Sequence, residues 1–213
     1  IGVFLFLSFW LYFSSVFLVG EAHLRVFFSW IPLLFVVLLP SVTMGKWAEE
    51  QKTGTLEILM TLPATDWQII IAKLTACIGF LAVVLVLTMP LPIVFSFLGD
   101  VDFGPVWGSY FGLFLLGMSY MALGLFISSL TQNQIVAFLI SVVVLFLFYI
   151  IAEPIVLSYM PKMMIPFVEF VSFNHHYESL ARGVIDSRDI IYFVSAAGFF
   201  VYLNHMSLQM RKV

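Results

Sequence analysis

The order of apolar and polar positions divides the chain before any other property is considered. Stretches free of Asp, Glu, Lys and Arg run from Ile1 to Gly20, Val26 to Gly45, Leu74 to Gly99, Phe103 to Ala152 and Ile190 to Met210. About 20 residues of helix cross the hydrocarbon of a bilayer, so every stretch is of spanning length. The fourth holds two spans and divides at Thr131-Gln132-Asn133-Gln134, where consecutive polar residues are costly in hydrocarbon but suit a short interfacial turn. Barrel strands alternate polar and apolar positions, whereas Val142 to Ile151 is apolar on every side. The pattern therefore predicts an all-α, polytopic membrane protein with six transmembrane helices.

Finer features modify the spans. Pro32 and Pro40 in the second and Pro90 and Pro92 in the third predict kinks, because proline removes a backbone donor and clashes with the preceding turn. Gly108 and Gly112 open the fourth, and Gly117 and Gly124 follow a heptad apart, giving a small-residue face that suits internal packing and a dimer contact equally. Lys46 to Lys73 and Glu153 to Asp189 are longer than a turn needs, and alternation of six spans puts them on opposite sides of the membrane. Basic residues do not orient the chain: Lys46, Lys52, Lys73, Arg211 and Lys212 on one side face Arg25, Lys162, Arg182 and Arg188 on the other.

Composition narrows the function. With 62% hydrophobic and only 10% charged residues, the chain is not a soluble enzyme. A net charge of -3 offers no basic surface for nucleic acid. Cys77 is the single cysteine, which excludes an internal disulfide and a cysteine-rich metal site. The spans lack the acidic and basic residues by which ion-driven transporters move protons or sodium; His205, near the end of the last span, reads as an interfacial side chain. The Gly45-Lys46 pair is followed by Trp47 and lacks the first glycine of a P-loop. Active transport by this chain would draw its energy from another polypeptide.

Lys46 to Lys73 has the form of a surface for such a partner. Gly54 breaks the helix leaving the second span, and Leu56, Leu59 and Met60 then recur at helical spacing with Glu57 off their face. Pro63 ends this short helix, and Thr65 with Gln68 has capping-box spacing for the next. The amphipathic pattern fits a partner groove or a lipid surface alike.

The residues themselves carry more. Pro40-Ser-Val-Thr-Met44, Trp47-Ala-Glu-Glu50, Gly54-Thr-Leu-Glu57 and Thr61-Leu-Pro63, followed by Trp67 and Lys73, resemble the first cytoplasmic loop of ABC-2 type transporter permeases, in particular the gliding-motility (GldF-like) branch. Asn174-His-His-Tyr-Glu-Ser179, Arg182 to Asp186 and Arg188-Asp189 are similar to the segment before the last span in that branch. The resemblance implies one transmembrane domain over residues 1–213, from which the usual N-terminal elbow helix is missing. It implies a permease subunit of an ATP-driven exporter, multi-pass in the bacterial cytoplasmic (inner) membrane and paired with a second copy or a paralogue. The subunit would bind no cofactor itself; ATP and Mg would sit on two cytoplasmic ABC ATPase subunits. A cytoplasmic coupling helix would lie between spans two and three, with Glu49, Glu50, Gly54, Thr55 and Leu56 at the ATPase interface, continued by Glu57, Leu59, Met60, Leu62 and Pro63. The resemblance leaves room for an extracytoplasmic accessory protein, and for the alternative of a membrane scaffold or mechanical transmitter driven by the ATPase without a substrate of its own.

Glu153 to Asp189 is expected to form an extracytoplasmic helical hairpin, because Pro154, Pro161 and Pro166 cut an apolar segment into pieces too short to cross the bilayer. Its gate residues would be Glu153, Pro154, Asn174 and His175, together with Tyr177, Glu178 and Arg182. Asn174 is expected to cap a helix with an apolar stripe of Tyr177, Leu180 and Val184, ending near Gly183. His175, His176 and Glu178 lack the completing ligands of a metal site, and Asp100, Asp102 and Gly104 lack a calcium loop's final Glu, since Phe111 stands there. Gly117-Met-Ser119-Tyr-Met121 lacks the second glycine of a nucleophile elbow. No metal and no catalytic residue is expected.

Overall fold

The computed structural model describes residues 1–19, 24–61, 63–98 and 102–210, with the side chains of all but 15–19, 60 and 98. Leu62 and Asp100 lie outside the described residues, as does the side chain of Met60. Twelve helices and no strand occur among the described residues. In chain order they are α1 Gly2–Val19, α2 Leu24–Thr43, α3 Gly45–Thr53, α4 Thr55–Met60, α5 Asp66–Thr88 and α6 Pro90–Leu98. There follow α7 Phe103–Leu130, α8 Gln134–Ile150, α9 Pro154–Ser158, α10 Ile165–Val171, α11 Phe173–Ala181 and α12 Ser187–Gln209.

Among the described residues, four helical stretches are long and apolar enough to cross a membrane: Leu24–Thr53, Asp66–Phe97, Phe103–Leu130 and Ser187–Gln209. Gly2–Ser14 and Gln134–Ile150 are apolar but shorter. The expected turn at 131–134 is present, with Asn133 Oδ1 accepting from the Ile135 and Val136 amides at 2.9 and 3.5 Å at the head of α8. The third run divides at Met89, directly before Pro90, where the missing N–H and the ring interrupt the helical ladder.

The bundle is built around α7. Asp102 caps it by accepting from the Gly104 amide at 3.0 Å, and its 28 residues reach about 42 Å. Helices α12, α2, α11, α5, α8 and α3 all pack on it. Small residues permit this crowding. A Cβ added to Gly124 would strike the Thr43 hydroxyl, and one added to Gly117 would lie 2.6 Å from Leu81 Cδ2. At the other end, a Cβ on Gly108 would meet the Leu180 carbonyl oxygen, and one on Gly112 would lie 3.1 Å from Leu180 Cβ. The small-residue face of α7 therefore packs inside the chain.

The segment expected to be a helical hairpin takes the form of three short helices of 5, 7 and 9 residues. Only α11 is substantially embedded, through Phe173, His176, Tyr177 and Leu180. Its cap is Ser172 rather than Asn174: the Ser172 backbone is extended and its hydroxyl accepts from the His175 amide at 3.3 Å. Gly183, at φ +82°, turns the chain away, so Val184 leaves the expected stripe and is exposed.

Candidate coupling and gate sites

The two long polar segments sit at opposite ends of α7. At its C-terminal end, the Ser128 hydroxyl is inserted where α2 passes into α3. It donates to the Met44 carbonyl at 2.7 Å and accepts from the Trp47 and Ala48 amides at 3.1 and 3.2 Å. A hydroxyl placed between Met44 O and Ala48 N takes the position of one rung of the helical ladder, which explains the interruption at Met44. Gln51 Nε2 adds a bond to the Ser129 carbonyl at 3.0 Å, and Trp47 is fully buried.

On the other flank of α3, Lys73 of α5 bonds the Lys46 carbonyl and the Glu50 carboxylate, both at 2.5 Å, with its ammonium 4.1 Å from the Trp47 ring centroid. Glu50 is thus committed to an internal pair, while Glu49 is exposed. Gly54 then adopts φ +73°, a conformation that glycine takes without strain, and separates α3 from α4. The Thr53 and Thr55 hydroxyls meet across this turn at 2.9 Å.

The orientation of α4 differs from the simplest reading of its pattern. Leu56 and Leu59 are half-buried against the chain's own core, while Thr55, Glu57 and Ile58 are exposed, Ile58 to 67%. Leu56 and Leu59 thus pack on their own chain, and the outward tip is Gly54, Thr55, Glu57 and Ile58. Pro63 follows as an exposed residue. The Thr65–Gln68 capping box is formed as expected, with bonds of 3.0 and 3.4 Å. Trp67 stacks on His205 at 4.4 Å, which gives that histidine a packing role.

At the other end of α7 the expected gate residues divide between two cavities on either side of α11. Glu153, Asn174, Tyr177 and Glu178 line one of about 310 Å³, together with Arg25 and Trp30. There Asn174 Nδ2 donates to Glu153 Oε1 at 3.4 Å, and the buried Tyr177 hydroxyl donates to the Phe28 carbonyl at 2.9 Å. Burial, reinforced by the Glu178 carboxylate, pushes the Glu153 carboxyl above its usual range. Burial likewise raises the Tyr177 phenol. Pro154, exposed in the first turn of α9, lines neither cavity.

His175 and Arg182 face the second cavity, of about 600 Å³. Its wall includes a buried pair that sequence spacing did not suggest: His176 Nδ1 lies 2.7 Å from Asp189 Oδ1 and Nε2 lies 3.1 Å from the Phe170 carbonyl, with the ring stacked on Tyr192 at 3.9 Å. His176 is thereby engaged elsewhere than with His175 and Glu178, and no group of three potential ligands is placed to hold a metal among the described residues.

Two comparisons bear on this arrangement. No curated protein matches the chain. Residues 33–204, well over half of it, match the family described as ABC-2 family transporter protein, and the match takes in α3, α4, α7 and α9 to α11. The chain therefore belongs to the ABC-2 family of transporter proteins.

Proposed function

We propose that this chain is the transmembrane permease subunit of an ATP-driven exporter, of the gliding-motility branch, with six spans in the bacterial inner membrane. It pairs with a second copy or a paralogue and is driven by cytoplasmic ABC ATPase subunits that carry the ATP and Mg. The observation that carries this reading is the continuous path from an exposed helix tip to the opposite end of the bundle. A partner bearing on Thr55, Glu57 and Ile58 moves α4, and the Gly54 turn passes that displacement to α3. Helix α3 is held on α7 by Ser128 and on α5 by Lys73. Helix α7 has no break over its length, and Gly108 and Gly112 seat α11 directly on its far end. Movement at the α4 tip thus reaches Glu153, Asn174, Tyr177 and Glu178, which serve as the extracytoplasmic gate.

Co-expression with a P-loop ATPase, followed by affinity purification and reconstitution, tests this. The ATPase should co-purify, and its turnover should change on assembly; Ile58→Asp should abolish both while leaving the permease folded. Retained co-purification and turnover in Ile58→Asp would refute α4 as the docking element. Single cysteines at Asp66 and Glu178, introduced after Cys77→Ser, should react with an impermeant thiol reagent from opposite faces of oriented vesicles. Labelling from one face would refute the six-span topology.

A further inference from the structure

The larger cavity lies off the coupling path, and its wall combines charged and apolar residues. Its lining carries Arg182 and Arg188, both exposed, with Glu169, Asp186 and the buried Asp189. Ser195 also lines it, seven residues beyond Arg188 on α12, so the wall runs about 10 Å down this helix. Helix α12 is itself long and apolar enough to cross a membrane. Its apolar lining is Pro166, Phe170 and Ile191, the last two 64% and 65% exposed. Charges of both signs beside exposed apolar surface match an amphiphile; a soluble ion would meet only the first and a neutral oil only the second.

We propose that this cavity binds a glycerophospholipid of the outer leaflet whose headgroup carries a phosphate and a primary ammonium, as in phosphatidylethanolamine. The guanidinium forks of Arg182 and Arg188 suit the phosphate. The ammonium N–H groups are met by Glu169, with the buried Asp189 carboxylate adding negative charge to the wall. Asp189 is more than nine-tenths buried; Oδ1 is engaged by His176, while Oδ2 accepts no hydrogen bond among the described residues. Asp186 is already committed, accepting from the Arg188 amide at 2.9 Å as the cap of α12. His176, bonded at both ring nitrogens, holds α10 and α11 against α12 and so shapes the wall. The lipid's acyl chain follows Phe170 and Ile191. The outer-leaflet placement rests on the orientation in the proposed function, whereas the lipid selectivity does not depend on any ATPase partner.

Three lipids separate the contributions. Phosphatidylcholine keeps the phosphate but has no N–H on its nitrogen, and phosphatidylglycerol keeps the phosphate without the ammonium. The chain, purified in mild detergent and incubated with an equimolar mixture, should retain phosphatidylethanolamine over either of the others by about tenfold in native mass spectrometry. The double variant Arg182→Gln, Arg188→Gln should lose all three. Glu169→Gln should keep phospholipid binding but lose the preference for ethanolamine over glycerol. Equal retention of the three lipids by the wild-type chain, or unchanged retention by the double arginine variant, would overturn the proposal. Displacement of the lipid by soluble phosphoethanolamine would also overturn it, by assigning the cavity to a water-soluble headgroup. If the double variant fails to fold, the wild-type selectivity decides alone.

Discussion

Ser128→Ala is the substitution from which the structure predicts most, because one hydroxyl holds three backbone groups at the junction of α2 and α3. It donates to the Met44 carbonyl and accepts from the Trp47 and Ala48 amides, at 2.7 to 3.2 Å. Three buried bonds at about 1 kcal/mol net apiece set a loss of about 3 kcal/mol. With the hydroxyl gone, Ala48 N–H can close directly on Met44 O, which recovers about 1 kcal/mol and straightens α2 into α3. The expected net destabilisation is therefore about 2 kcal/mol, accompanied by a new direction for α3 and hence for α4. The control lies next door: the Ser129 hydroxyl bonds only within its own helix, to the Phe126 carbonyl at 2.7 Å, so Ser129→Ala should cost less than about 0.5 kcal/mol. Both variants can be unfolded reversibly by SDS in mixed micelles and followed by circular dichroism, beside Ser128→Thr, which keeps a hydroxyl. In reconstituted complexes, Ser128→Ala should also weaken control of the ATPase where Ser129→Ala does not. Equal unfolding curves for Ser128→Ala and Ser129→Ala would refute the assignment of this hydroxyl as the pin.

Leu59→Asp should lower the stability of the isolated chain, since Leu59 packs on its own core, whereas Ile58→Asp should leave the melting temperature unchanged and act only on partner capture. Gly108→Ala should destabilise by about 1–3 kcal/mol through its clash with the Leu180 carbonyl, while Gly79→Ala in α5, with nothing within 4 Å of the added carbon, should be neutral or stabilising; thermal melts in detergent compare the two. The raised Glu153 carboxyl favours the protonated form in the folded state, so its contribution is full below the ordinary value of 4.5 and fades as pH rises through the higher folded value. Melting temperature should accordingly fall with pH just above 4.5 in the wild type, and Glu153→Gln should flatten that slope.

Local chemistry was readable in the sequence wherever its partners are a few residues apart. The Thr65–Gln68 box, the break at Gly54, the turn at 131–134 and the end of α11 at Gly183 each need only a short window. Two choices that a short window leaves open share a physical origin. Ser172 and Asn174 are both capping residue types, and the choice between them depends on which backbone is extended. The stripe of Leu56 and Leu59 gives α4 an apolar side without saying whether its own chain or another covers it. Contacts between distant positions left no local trace: Trp47 meets Ser128 across 81 residues, and Lys73 finds Glu50 from another helix. A lysine at the start of an apolar run and a serine pair at the end of one were the only signals available.

The enclosure of α7 limits where cargo can pass. Its exposed large apolar side chains, Phe103, Trp107 and Phe111 near one end and Leu130 at the other, leave its middle walled in by helices of the same chain. A pillar surrounded on every side has no face left to offer to a conduit. Any conduit through an assembly of two such subunits must be bordered by helices that still show a bare flank. In α5, Val83, Val86 and Leu87 present one, and in α8 Leu139, Val143 and Leu147 present another. A search for the translocation route by crosslinking or pore-blocking cysteines can begin with these two flanks and leave the centre of α7 aside.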